Sequence, residues 1–116
     1  AAPEIEITDT GIILISPDST VDFGTLTIGD TGTKTIVIHN IGTANLNISG
    51  TTIGGTNPTL FNTGFTTATI VPGATANVVI NFSAPVKINA RATITFTNND
   101  SDEGTFVVKL KGRTMP

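Results

Sequence analysis

The sequence contains no cysteine, no tryptophan and no tyrosine, and a single histidine. The missing cysteine excludes disulfides, thiol catalysis and every cysteine-ligated metal centre. With tryptophan also missing, the antibody-type core of a disulfide packed on an indole cannot form. Charged residues make up only 13% of the chain and sum to −3. The calculated pI near 4.8 argues against a nucleic-acid footprint, which requires clustered Lys and Arg. No apolar run approaches the ~20 residues of a membrane helix, so direct membrane insertion is not expected.

What is present is apolar and β-branched. Hydrophobic residues make up 38%, with 12 Gly and 6 Pro among 116 residues, too apolar and too weakly charged for disorder. Threonine is abundant and suits exposed strand positions. The length fits one domain over residues 1–116, able to bury roughly 65% of its unfolded surface in one core. The chain starts at Ala1 without a signal-peptide pattern, and it is expected to be a segment excised from a longer multidomain or repeat protein.

Alternation with a period of two runs through most of the chain. Residues 33–50 carry Ile36/Ile38 and Leu46/Ile48 on either side of Asn40-Ile41-Gly42-Thr43, which predicts two strands joined by a hairpin or by a loop passing between sheets. The turn is assigned to Asn and Gly because both tolerate positive φ. Residues 3–7 predict a first edge strand. The continuous apolar run 11–16 predicts a strand covered on both faces, and residues 51–58 a loop. Leu60-Phe61 is expected to plug the core. Phe65 to Val71 is a weaker strand closed by Pro72-Gly73. Ala76, Val78, Ile80 and Phe82 define the clearest amphipathic strand, a loop begins at Ala84-Pro85, and Ala92, Ile94 and Phe96 define a strand of equal quality. A last strand buries Phe106, Val108 and Leu110. No segment has helical periodicity, and turn signals every 8–12 residues predict an all-β sandwich of two antiparallel sheets. The core is placed on Ile36, Ile38, Leu46, Ile48, Phe61, Val78, Ile80, Phe82, Ile94, Phe96, Phe106, Val108 and Leu110.

Four phrases in fixed order carry a family resemblance: residues 21–48, residues 70–85, residues 91–106 and the closing 107–112. Together they resemble the choice-of-anchor D repeat of bacterial exported proteins, related to the ASPM/Hydin-type (ASH) and major-sperm-protein-like immunoglobulin folds. The similarity runs from about Pro3 to Gly112. It implies an immunoglobulin-like sandwich of about seven to nine strands, found in tandem arrays or beside a catalytic or anchoring domain, with no catalytic residues. Residues 84–91 depart from the family, which usually carries a Gly-containing turn of small residues there.

Chemistry is hard to assemble from these residues. The lone His39 sits between Ile38 and Asn40 on the face opposite the predicted core and reads as a solvated strand residue. Asp18 with Asp22, or Asp100 with Glu103, could pair as acid and base, but loop carboxylates in an acidic protein need no such explanation. The sharpest polar cluster is the turn holding Asn98, Asp100, Asp102 and Glu103, hard oxygen donors of the kind calcium takes. Its plainer reading is a hairpin turn bonded to its own backbone. Thr93, Thr95 and Thr97, joined by Thr33 and Thr35 of another strand, could form a flat array for ice or glycans. Lys109, Lys111 and Arg113 share a face of the last strand and read as protection of an edge.

The expected function is a non-catalytic spacer or protein-interaction module of a bacterial cell-surface or secreted protein. Its expected partners are neighbouring domains of the same chain, another protein or a glycan, with no nucleic acid. Two alternatives are a carbohydrate-binding module appended to an extracellular enzyme and a cilium- or microtubule-associated ASH domain. The first lacks the exposed Trp or Tyr on which pyranose rings stack; the second normally wants a more basic surface. Far-UV circular dichroism is expected to give a β spectrum with almost no helix, and substantial helical signal would contradict the strand assignment.

Overall fold

The computed structural model describes residues 2–101 and 104–116. Ten strands follow in order: β1 (Ile5–Asp9), β2 (Ile12–Leu14), β3 (Thr20–Thr27), β4 (Gly32–Asn40), β5 (Leu46–Gly54), β6 (Phe61–Thr63), β7 (Ala68–Ile70), β8 (Thr75–Phe82), β9 (Ile88–Asn98) and β10 (Thr105–Met115). A 3-10 turn, Pro58–Leu60, precedes β6. Sheet I has the order β2-β1-β4-β8-β6 and sheet II the order β3-β10-β9-β5-β7. The sandwich is therefore as expected in class. It has ten strands instead of seven to nine, and one pair is not antiparallel: β3 runs parallel to β10.

The two strands flanking residues 40–43 belong to different sheets, so the link is a crossing loop and not a hairpin. Positive φ has no part in it, since neither Asn40 nor Gly42 adopts one. A true two-residue hairpin instead joins β1 to β2 at Thr10-Gly11, where both residues have positive φ (48° and 85°), as a type I′ turn requires.

Every residue assigned to the core from alternation is buried, joined by Ile5, Ile7, Leu14, Val21, Phe23, Ile70, Ala84, Ala90 and Ala92. Because side chains alternate across a strand, correct facing of one residue fixes the facing of its whole strand. At one end of the core Phe61 stacks on Phe82 at 4.7 Å, and Phe23 closes on both rings at 5.5 and 5.9 Å. Gly112 of β10 lies directly over Phe82: a Cβ there would come within 2.5 Å of ring atom Cδ2. Opposite it, β3 accommodates an extra residue at Gly24, whose φ of +74° shifts the register with β10 between Lys111 and Arg113.

Neighbour relations differ from the sequence expectation in four places. Residues 3–7 do not form an edge, because β1 lies between β2 and β4. The run 11–16 is not covered on both faces: β2 is itself the edge, with Ile12 67%, Ile13 59% and Ile15 64% exposed. Residues 51–54 continue β5 instead of looping, held by pairs such as Thr52 with Thr95 and Ile53 with Ile94. Finally, β9 begins at Ile88, inside the segment that departs from the family. Thr114, fully buried, clamps that segment by donating to the Val86 carbonyl (2.6 Å) and accepting from the Ile88 amide (3.2 Å).

Truncating Phe82 to Ala is expected to cost about 3–5 kcal/mol through the cavity left in the ring cluster, and Gly112→Ala about 1–3 kcal/mol through overpacking on the same ring. Thr95→Ala, on the outer face, should cost far less. Chemical denaturation of the three variants checks this, and a Thr95 variant weaker than the Phe82 variant would invert the facing.

Candidate functional site

Two of the four buried polar side chains among the described residues, Asn40 and Asp100, lie at one end of the sandwich, where the two sheets must be joined without leaving backbone groups unpaired. Asn40 ends β4 there and is 1% exposed. Its amide nitrogen donates to the carbonyls of Ala44 (2.7 Å) in the crossing loop and Ile70 (2.8 Å) in β7 of the other sheet. Its Oδ1 accepts from the amides of Gly42 (3.0 Å) and Glu4 (3.4 Å). Gly42 is forced by the same crowding: a Cβ would sit 2.6 Å from the Glu4 nitrogen and nearer still to the Ala2 carbonyl.

The acidic turn sits beside this knot. The Asn98 amide donates to the Gly104 carbonyl at 2.9 Å, and Asn98 Oδ1 accepts from the Asp100 amide at 2.8 Å. Asp100 is 3% exposed; its Oδ2 accepts from the Ile5 amide of sheet I at 3.0 Å. Asn99 reaches the other way, accepting from the Asn47 amide (2.8 Å) and donating to the Asn45 carbonyl (3.2 Å). Of the four calcium candidates, Asn98 bonds backbone of its own turn and strand, at the Asp100 amide and the Phe96 carbonyl, Asp100 ties the turn to β1, and Asp102 and Glu103 lie outside the described residues. Among the described residues no group of three His, Cys, Asp or Glu could hold a metal ion.

The remaining candidates are dispersed. His39 is half-buried, and its Nε2 lies 3.0 Å from Thr8 Oγ1 across the β1–β4 pair. A base beside a hydroxyl matches half of a triad only in composition: Thr8 is mid-strand and 9% exposed, with no carboxylate in the hydrogen bond. Asp18 is exposed in the turn before β3, and Asp22 accepts from the Gly24 amide at 2.8 Å. Thr33 and Thr35 face outward on sheet I, whereas Thr93, Thr95 and Thr97 face outward on sheet II. They cannot form one array. Sheet II supplies Thr52 and Thr105 as their neighbours instead.

Lys109, Lys111 and Arg113 do lie on one face, but β10 is paired on both sides and is not an edge. Sequence reasoning missed Arg91, which stands directly opposite Lys111 in the β9–β10 ladder. The signal was in the sequence, since Arg91 precedes Ala92 by one and shares the outward parity of Thr93. A cleft of about 350 Å³ opens here, lined by Asp22, Thr25, Asn89, Arg91, Lys111 and Arg113 among others.

Known proteins share this architecture. The family described as HYDIN/CFA65/VesB-like, Ig-like domain matches residues 13–113. No curated protein sequence matches the chain. Among solved structures, the ASH/PapD-like domain 7 of human CEP192 superposes with a TM-score of 0.70 at 14% identity, covering 98% of this chain and 87% of that one. A protein of unknown function from Porphyromonas gingivalis W83 gives 0.73 at 19% identity, covering 96% of this chain and 46% of its own. The VesB protease of Vibrio cholerae gives 0.61 at 13% identity, covering 85% of this chain and 31% of its own. The chain thus spans less than half of the last two.

Asp100→Ala is expected to cost about 1.5–3 kcal/mol, the usual loss for a hydrogen bond to a charged group. Asn40→Asp should be at least as damaging, because it sets a carboxylate against two buried carbonyls. Thermal melts of both check this. A few millimolar calcium is expected to leave the wild-type melting temperature unchanged; a rise over chelator would instead establish a cation site at the turn.

Proposed function

The chain belongs to the HYDIN/CFA65/VesB-like family of Ig-like domains, and from that membership we propose that it is a non-catalytic spacer and protein-interaction module. The observation that carries the reading is the path of the chain. Ala2 is bonded to Thr43 at the crossing-loop end. Met115 pairs with Thr27 at the opposite end, where the Gly29 amide meets the Ala84 carbonyl. The molecule measures 52 × 23 × 23 Å. A rod-shaped sandwich entered at one end and left at the other sets the separation of whatever precedes and follows it, and so acts geometrically.

The interaction half of the reading draws on β2. Its short edge carries exposed Ile13, exposed Ile15 follows directly after it, and with Ile41 (58% exposed) they border a cleft that also touches Glu4, Glu6 and Phe106. An open sheet edge with apolar side chains can accept a further strand, the backbone supplying affinity and the side chains selectivity. The setting we propose is a bacterial cell-surface or secreted protein, with adhesion-type use, to which the family resemblance and the fold likeness to part of the VesB protease lend support.

A carbohydrate-binding role is disfavoured by the fate of the rings: five of the six Phe side chains are buried in the core and Phe65 is half-buried against Phe96, so no aromatic platform is offered to a sugar. The cilium- or microtubule-associated ASH reading draws on the likeness to the CEP192 domain and on the cations of sheet II. Two copies joined head to tail should lengthen the maximum dimension in small-angle scattering by about 50 Å, one module length. A maximum dimension close to that of one copy, meaning side-by-side packing, would defeat the spacer reading.

A further inference from the structure

We infer that the outer face of sheet II, around Arg91, Lys111 and Arg113, is a docking surface for an extended acidic peptide of a partner protein. The inference deepens the interaction-module reading and rests on it.

Charge is segregated in this molecule. The chain has six Lys and Arg against nine Asp and Glu. Four of the six, Arg91, Lys109, Lys111 and Arg113, project from the outer face of β9 and β10, and Lys87 lines an adjoining cleft with Arg113. Only Lys34 lies on sheet I, where it meets Asp9 at 3.9 Å, the one ion pair among the described residues. The four cations of the sheet II face therefore make no ion pair with any described residue. Arg91 and Lys111 are cross-strand partners in the ladder, an arrangement that is destabilising for like charges. Asp22 is the one carboxylate among the described residues lining the larger cleft; it stands beside Lys111 in the β3–β10 ladder but makes no ion pair with it, and its Oδ1 is bonded to the Gly24 amide. An acidic protein has thus gathered four of its six cations on a single face against one neighbouring carboxylate, an excess left to be neutralised from outside.

Spacing selects the ligand. Lys109, Lys111 and Arg113 alternate along β10, which sets their Cα atoms about 6.7 Å apart from one to the next. A second polypeptide lying extended over the face presents its own alternate side chains with the same period. Carboxylates at every second position of such a segment match the cations one to one. Arg91 adds a fork suited to bidentate carboxylate recognition beside Lys111. Thr93, Thr95 and Thr97 continue the face with hydroxyl groups able to bond a peptide backbone. An anionic polysaccharide would find the charge but no exposed ring on which to stack.

The test is fluorescence anisotropy of a labelled alternating Glu-Thr peptide titrated with the 116-residue chain, alongside an alternating Lys-Thr peptide. Binding of the acidic peptide alone is expected, weakening at least about tenfold between roughly 50 and 300 mM salt. The Lys111→Glu/Arg113→Glu variant should lose at least about tenfold in affinity, and Lys34→Gln none. Should the charge-reversed variant fold poorly by its melting curve, Arg91→Gln/Lys111→Gln replaces it with the same expectation. No binding at low salt, or equal binding by wild type and variant, overturns the proposal. Tighter binding of alginate than of the peptide also overturns it, and makes the face a glycan site. Each of these failures leaves the spacer reading to its own scattering test.

Discussion

The fold depends on one buried amide. A sandwich gains its stability between the sheets, but the chain has to cross from one sheet to the other, and each crossing strands backbone groups away from water. Asn40 resolves this at the β4–β5 crossing by using both donors and the acceptor of its side chain on four different backbone groups. Its own amide and carbonyl are taken by Ala74 and Gly73 of the β7–β8 turn. One residue thus fixes the end of β4, the shape of the crossing loop, the position of β7 and the entry of β1. Asp100 makes the complementary tie from the β9–β10 turn to Ile5. Both are polar groups with nearly all their surface removed from water, so their hydrogen bonds form in a setting where an orphaned partner costs most.

The same residues show what was legible in the sequence and what was not. Facing was legible, because a strand has two faces and a few apolar residues decide between them. Every core assignment made from alternation is therefore buried, from Ile36 to Leu110. Adjacency was not legible, because it depends on which strand closes against which across the chain. The apolar run 12–15 has the composition of a central strand, yet it folds as an edge after a two-residue hairpin. Lys109, Lys111 and Arg113 have the composition of edge protection, yet their strand is paired on both sides. Asn40 was legible as a turn residue for a reason the structure replaces: its side-chain bonding matters and its φ does not. The acidic turn was legible as a cluster, but alternation cannot say that the Asp100 carboxylate points inward.

Edge control is where the two misreadings meet. The four edge strands are β2, β6, β3 and β7. Three of them are three residues long, and the fourth, β3, carries the register shift at Gly24. Short edges and bulges are both known ways of discouraging further pairing. The sandwich therefore controls its edges by geometry, and it needs no lysines for the purpose. β2 is the exception: it is as short as the others, but its exposed residues are isoleucines and not polar groups, which is why it is the edge proposed to accept a further strand.

Removing edge protection as the reason for the cations leaves Lys111 with Asp22 as its cross-strand neighbour and Arg91, Lys109 and Arg113 without a carboxylate opposite them in the ladders of the described residues. The outward positions of β9 beyond Arg91 are threonines, residues that serve an exposed strand well and carry no repulsion. Threonine at 109, 111 or 113 would satisfy the same sheet geometry and remove the cross-strand opposition of Lys111 to Arg91. Nor does the wider charge balance ask for them here, because a chain of net −3 could spread six cations among nine acids and gain a little from each pairing. Folding alone thus favours either uncharged residues on this face or dispersed ones. A concentration that folding disfavours, on the outward face of a sheet, is what the proposed contact with an acidic peptide would account for.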